Sequence, residues 1–202
     1  MNKKMQTQLY FFLLSILSFL RADTFYVPGD FTSIQTAINA ASNTDSILVW
    51  PGVYEETLDF DGKAIVVSSL YFIADDSLLI ESTILDADDN GSVVSFANGE
   101  TNESILQGFT IQNGTGNNED PDGNGTYYNY GGGIYCENSD PIIKDCIIQN
   151  NICDSGGGGG IFCYNASPKF FGCIIKENET DDVGGGLYAK TASSPEFYNC
   201  SF

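Results

Sequence analysis

The chain is 202 residues long and carries 27 acidic side chains against 8 basic ones and no histidine, a formal charge of −19 at neutral pH. A field of that sign repels nucleic acid and anionic lipid, which argues against both as partners and in favour of solubility. The length suits one domain of ordinary size.

The chain opens on Lys3 and Lys4, then an apolar run from Leu9 to Leu20, then the small residue Ala22. That order reads as a secretory signal over residues 1–22, since the run is shorter than the roughly 20 apolar residues a membrane span needs. Leu20 is larger than signal cleavage prefers three residues before the cut, so an uncleaved anchor is the alternative. Removing residues 1–22 takes away Lys3, Lys4 and Arg21 and no acid, so 5 basic residues face 27 acidic ones and the charge becomes −22. The mature protein is then secreted or at the cell surface, without a membrane span, and has no Arg and no His.

Residues 23–202 form the domain, and its front, about 24–60, reads as a cap. Thr32 and Gln35 have capping-box spacing ahead of Ile34, Ala37, Ile38 and Ala41, a helical apolar stripe. Strand-like runs follow at Ser46–Trp50, Ala64–Ser68 and Val93–Phe96. Between the last two lie Asp86, Asp88, Asn90 and Gly91, and further on Asp120, Asp122, Asn124 and Gly125. Alternate oxygen-bearing side chains beside a glycine turn match the first half of a Ca²⁺ loop, which makes Ca²⁺ the candidate cofactor. The twelfth positions are Ala97 and Gly131 rather than Glu, and Asp and Asn beside Gly also build ordinary turns.

Three segments then repeat: GGGIYCENSDPIIKDCIIQNN from Gly131, GGGIFCYNASPKFFGCIIKEN from Gly158 and GGGLYAKTASSPEFYNCSF from Gly184. Pro141, Pro168 and Pro195 are spaced by 27, as are Cys146, Cys173 and Cys200. A unit that short, rich in Ile, Phe, Tyr, Gly and Asn, reads as short strands and turns rather than packed helices, and it buries its apolar face only by stacking on its copies. Gly108, Asp145, Gly172 and Asn199 occupy one turn position and are residue types that tolerate positive φ. After that turn, Phe109 and Ile111, Cys146 and Ile148, Cys173 and Ile175, and Cys200 and Phe202 alternate as inward-facing strand residues do. Phe109 to Cys146 is 37 residues rather than 27, which places an insertion at about 115–130, where Gly, Asn and Asp are dense. The last repeat stops in mid-coil at Phe202, so the chain reads as a C-terminally truncated piece of a longer protein.

The aromatic rings Tyr127, Tyr128 and Tyr130 of the insertion, and Tyr135, Phe162 and Tyr188 at one repeat position, are candidate carbohydrate-binding residues if exposed. The other reading is outward cross-coil stacking that stabilises the solenoid. The in-register cysteines read as buried thiol ladders, with a Cys136–Cys163 bridge as the alternative and Cys153 a lone residue on a turn.

The front, DTFYVPGDFTSIQTAINAASNTDSILVWPGVYEETLDF, resembles the helix-capped start of right-handed parallel β-helix proteins of the pectin-lyase-like superfamily. The GGGI coils resemble those of polymorphic outer-membrane proteins and of large surface proteins with a separate sorting domain. The resemblance implies an all-β fold, a single-stranded right-handed parallel β-helix with a short N-terminal capping helix. It also implies an extracellular protein that faces polysaccharide or cell-surface glycan. Enzymes of this fold draw on Arg, His and grouped Asp, and the mature chain lacks the first two, so no residue is assigned a catalytic role. The expected function is a non-catalytic adhesin, stalk or carbohydrate-contacting scaffold. The alternative is a Ca²⁺-dependent polysaccharide lyase, with Lys144, Lys169 or Lys176 as base, or a carboxylate-based glycoside hydrolase.

Overall fold

The computed structural model describes residues 22–74 and 76–202, apart from the Phe72 side chain; the expected signal sequence thus lies, but for Ala22, outside the described residues. The polypeptide winds as a solenoid, and each circuit visits three parallel sheets in turn. It begins with β1 (Thr24–Val27), α1 (Ile34–Ala40), β2 (Ser46–Val49), β3 (Gly52–Glu55) and β4 (Leu58–Asp59). The next circuit holds β5 (Val66–Ser69), the short helices α2 (Tyr71–Ala74) and α3 (Leu78–Ser82), β6 (Thr83–Asp86) and β7 (Val94–Phe96). Then come β8 (Ile105–Gln107), β9 (Thr110–Gln112), β10 (Asn117–Glu119), β11 (Tyr128–Tyr130) and β12 (Ile134–Glu137). The regular repeats supply β13 (Ile142–Lys144), β14 (Ile147–Gln149), β15 (Ile152–Cys153), β16 (Ile161–Tyr164), β17 (Lys169–Phe171), β18 (Ile174–Lys176), β19 (Glu179–Thr180), β20 (Leu187–Lys190) and β21 (Glu196–Tyr198).

The first sheet runs β1-β2-β5-β8-β13-β17-β21, the second β3-β6-β9-β14-β18 and the third β4-β7-β12-β16-β20. Their register stacks like on like. Ile47, Val67, Leu106, Ile143, Phe170 and Phe197 form one inward column of the first sheet. Tyr54, Leu85, Ile111, Ile148 and Ile175 form its counterpart in the second. Each fully buried aliphatic or Phe side chain in such a column contributes about 1.5–3 kcal/mol of transfer free energy. This apolar interior, not local propensity, holds strands of two to four residues in place.

The corners carry the sequence's turn chemistry. Gly108, Asp145, Gly172 and Asn199 have φ of 79°, 49°, 63° and 53°, which turns the chain from the first sheet to the second in the left-handed region. After the second sheet, fully buried Asn151 donates from Nδ2 to the carbonyls of Ile111 (3.1 Å) and Gln149 (3.0 Å) and to Asn178 Oδ1 (2.9 Å). Asn178 repeats the motif one circuit on, donating to Ile148 O at 2.9 Å. A buried polar group that finds all its partners pins a corner, because leaving one unmade costs about 1–3 kcal/mol.

The front is closed by α1, whose Ile34, Ala37 and Ile38 are fully buried. Its N-cap differs from the expected Thr32–Gln35 box. Ser33 Oγ accepts from Thr36 N, while Glu56, between β3 and β4, accepts from Ile34 N (2.8 Å) and Gln35 N (2.9 Å). Tertiary reach thus supplies the carboxylate that a box would draw locally. Lys63 Nζ donates to the carbonyls of Ile38 (2.7 Å) and Asn39 (2.9 Å), where a helix C-terminus favours a cation. In the last repeat Cys163 pairs with Ala189, 26 residues on, whereas Lys169 pairs with Glu196, 27 on; the extra residue sits beside Thr191 at φ 58°. Among the described residues no helix is long and apolar enough to cross a membrane.

Candidate functional site

The outer face of the third sheet carries the most varied chemistry. Register alone sets Asp59, Ser95, Tyr135, Phe162 and Tyr188 in one outward column. Glu137, Tyr164 and Lys190 form the next. The segment at 115–130 folds back over this face as the antiparallel hairpin β10–β11. Its Tyr130 ring stacks on Phe162 with centroids 4.3 Å apart, and Phe162 lies 5.6 Å from both Tyr135 and Tyr188.

This packing corrects the expected sugar-stacking strip. Tyr130, Tyr135 and Phe162 are 5%, 1% and 0% exposed, so their faces are used within the protein. The rings do point away from the solenoid core, but the hairpin covers them because three stacked aromatics are costly to leave in water. Tyr127 and Tyr128 stay exposed on the hairpin and Tyr188 is half-buried.

The hairpin also brings charge to the sheet. Asp122 forms an ion pair with Lys190, which holds the lysine pKa above its ordinary value. Tyr135 donates its phenol to Glu137 Oε2 at 2.6 Å, and burial together with that carboxylate keeps the phenol protonated. Glu119 is pushed above the usual carboxylate range by burial and by the charge of Glu137.

Beside the hairpin lies a groove of about 420 Å³ whose walls come from α1, β4, β7, β10 and the turn before β7. Gln35, Asp59, Asn90, Ser92, Ser95 and Asn117 line it. Gln35 clasps the Asp59 backbone, accepting from its N–H at 2.8 Å and donating to its carbonyl at 3.0 Å. Asn117 accepts from Ser92 N at 3.0 Å and donates to Ser95 Oγ at 2.9 Å, which docks the root of the hairpin to the sheet. The Asp59 carboxylate accepts from Asp61 N (2.7 Å) and Asn98 Nδ2 (3.2 Å) and remains exposed. The result is a preorganised polar wall of amides, hydroxyls and one carboxylate, a chemistry that matches hydroxyl-rich ligands.

The two loops read as half Ca²⁺ sites are built as turns. Asp86 accepts from Asp88 N (2.9 Å), Gln112 Nε2 (2.9 Å) and Asn113 Nδ2 (2.8 Å), so its oxygens are taken up in holding the turn and the corner. Asp120 accepts from Asn124 N (3.1 Å) and Gly125 N (2.7 Å), closing the hairpin tip, while Asp122 turns to Lys190. Among the described residues no three or more His, Cys, Asp or Glu side chains gather as a metal site. All six cysteines are free thiols; Cys153, read as a lone turn residue, is fully buried in β15. Burial raises the Cys146 thiol to about 12 and keeps Cys136 and Cys173 protonated as well. Lys169 pairs with Glu196 at 3.4 Å on the outside of the first sheet.

Sequence reasoning missed Gln35, Asp59, Ser95, Asn117, Glu119 and Glu137. Only Glu137 had a signal, through its repeat equivalents Tyr164 and Lys190. The others converge across irregular spacings, as in Ser95 opposite Tyr135, 40 residues on.

A family model described as the right-handed β-helix region matches residues 65–202. Among solved structures, the chain is similar to a pectin methylesterase solved in complex with a hexasaccharide, at 13% identity and TM-score 0.43 over 88% of this chain and 66% of that one. It is similar to the carrot enzyme at 15% identity and TM-score 0.46, over 88% and 63% of the two chains. The Aspergillus niger enzyme matches at 14% identity and TM-score 0.42, over 88% and 75%. The chain spans less than two thirds of the length of the first two, and at these identities the likeness carries no activity to it. No curated protein matches.

Proposed function

This chain belongs to the right-handed β-helix family, and from that premise we propose that it is an extracellular, non-catalytic scaffold that holds a polysaccharide in the groove beside its hairpin. The observation that carries this reading is the groove wall itself. Polar side chains from α1, β4, the turn before β7, β7 and β10 line it, and Gln35, Ser92, Ser95 and Asn117 among them are held by hydrogen bonds within the wall, so a glycan meets oriented hydrogen-bonding groups at little ordering cost. Exposed Tyr127 and Tyr128 on the hairpin add ring surface for sugar stacking, and the rigid solenoid suits a stalk or adhesin. Export rests on Lys3, Lys4 and the Leu9–Leu20 run.

Affinity electrophoresis through gels containing soluble polysaccharides tests the reading. At least one polymer retards the protein, and Asn117→Ala, which unfixes the hairpin root, weakens that retardation by about tenfold, the worth of one good hydrogen-bonding group. If no polymer retards the wild-type chain, or Asn117→Ala binds as well as wild type, the proposal fails.

A further inference from the structure

We propose that the outer face of the second sheet is a self-association surface, on which two copies of this chain pair about a two-fold axis that lies parallel to the strands and reverses the order of the stack. The inference does not depend on the glycan reading, whose groove lies beside the third sheet.

Solvent-facing positions of a sheet are ordinarily polar, and here they are aliphatic. Val53, Ile84, Thr110, Ile147 and Ile174 stack in one outward column. Val53 is 59% and Ile174 42% exposed. The middle of the column is covered by α3, to which Thr83 Oγ1 and Thr110 Oγ1 donate at the carbonyls of Leu79 (2.7 Å) and Ile80 (3.0 Å). On that helix Leu78 is itself 67% exposed. Behind the helix a groove of about 320 Å³ runs from Glu81 past Ile84 and Ile147 to Lys176. An uncovered leucine on a raised helix and an aliphatic groove beside it are the two halves of a contact.

The stack brings those halves together. Strands repeat about every 4.8 Å, and α3 rests on β6 and β9. A two-fold axis passing between β9 and β14 therefore sets α3 of a second copy over β14 and β18. The two helices then lie about 10 Å apart, the distance at which helices pack side by side. Leu78 of each copy covers Ile147 and Ile174 of the other.

Charge singles out a second copy as the occupant. The neighbouring outward column reads, from front to back, Glu55, Asp86, Gln112, Gln149 and Lys176. Acid stands at one end and lysine at the other, with Gln149 donating to Gln112 at 3.4 Å between them, and α3 adds Glu81 to the acidic end. Reversing the stack sets Gln112 opposite Gln149 and brings Lys176 of each copy to Glu81 and Asp86 of the other, so the surface is its own complement. Lys176 is exposed and forms no ion pair among the described residues. In about 0.15 M salt the Debye length is about 8 Å, so the acids elsewhere on the two solenoids oppose this pairing only weakly.

Sedimentation equilibrium of the purified chain in that salt tests the inference. The wild-type mass rises from monomer to dimer with concentration, with a dissociation constant in the micromolar range, on the order of 10 µM. Leu78→Asp raises that constant about thirtyfold, the effect of losing an anchor at the centre of an interface. Lys176→Glu raises it about tenfold, and adding Glu81→Lys to that variant recovers most of the loss, because the pairing is reciprocal about the axis. Tyr127→Asp on the hairpin, where the ring is 62% exposed, leaves it unchanged. All of these positions except Lys176 and Glu81 are compared at unchanged unfolding midpoints, and the charge pair carries its own control in the double variant. Amide hydrogen exchange of the wild-type chain needs no substitution: on concentration it slows over residues 78–82, 147–149 and 174–176. A wild-type chain that stays monomeric at about 100 µM overturns the inference. So does a dimer that Leu78→Asp leaves intact, or a Lys176→Glu loss that Glu81→Lys does not recover. Protection that appears on the hairpin instead moves the contact to the third sheet and overturns it as well. None of these outcomes bears on the glycan groove, which gel retardation reads separately.

Discussion

The two ends of the solenoid use the same kinds of residue to different effect. At the front, α1 lays Ile34, Ala37 and Ile38 across the first circuit and all three are sealed from water. In the last described circuit Leu187, Phe197 and Cys200 are half-exposed and Phe202 is 68% exposed. Phe197 is the register partner of fully buried Phe170, and their rings stack at 4.7 Å and 8°, so chemistry and orientation are shared and only the neighbour on the far side differs. Burial in this fold is therefore a property of position in the stack, and the energy a side chain contributes is set by how many of its two flanking circuits are present.

The sharpest way to break that comparison is to make the same change at both positions. Phe170→Ala removes a fully buried ring between two circuits and costs about 3–5 kcal/mol, while Phe197→Ala, half in water already, costs about 1–2 kcal/mol. Urea unfolding followed by far-UV circular dichroism measures both. Equal losses would show that the interior column is not held by stacking on both sides.

Thiol chemistry reads the same difference without changing the core. Cys146 and Cys173 are buried, and burial holds both in the unreactive protonated form. Cys200 continues their column and is half-exposed, with its Sγ accepting from Cys173 N at 3.4 Å. Under native conditions a chromogenic disulfide reagent labels one thiol, Cys200, on the order of a hundredfold faster than the rest, which wait for local opening. Peptide mapping identifies the labelled site; Cys146 labelled alongside Cys200 would contradict the model of graded burial.

These contrasts also show what a reader of the sequence has to work with. The 27-residue spacing of Pro141, Pro168 and Pro195 marks one circuit, and the Gly, Asp, Gly and Asn at 108, 145, 172 and 199 do take positive φ. Both are legible because a solenoid repeats the same local demand at a fixed interval. The third-sheet column Tyr135, Phe162, Tyr188 is legible as a column, but its burial is not, since that depends on a hairpin whose strands NNE and YNY carry almost no apolar alternation. Helices α2 and α3 escaped notice for a related reason. They are four and five residues long and are steadied by contacts from other strands, such as Thr110 Oγ1 donating to the Ile80 carbonyl at 3.0 Å. The groove was invisible because Gln35, Asp59, Ser95 and Asn117 meet only after the irregular early circuits have stacked. Regular repetition exposes architecture, and the irregular insertions that interrupt it build the site.

The smallest expected effect separates the hairpin from the solenoid beneath it. Glu119 on β10 has its pKa raised above the ordinary 4.5 by burial and by Glu137 on β12. In the folded protein it therefore keeps a proton that the unfolded chain releases, and stability falls as pH rises from the ordinary glutamate range through the raised value. Glu119→Gln removes that dependence. The variant matches wild type below about pH 4, where the carboxyl is protonated in both states. At neutral pH it is more stable by at most about 0.5 kcal/mol, because this carboxylate is only partly withdrawn from water, which screens the rest. The gain belongs to the hairpin, so amide hydrogen exchange slows over residues 117–130 and leaves the Ile143 and Phe170 column unchanged. A gain at acid pH, or one spread over the whole solenoid, would mean that Glu119 and Glu137 do not face each other across the hairpin seam.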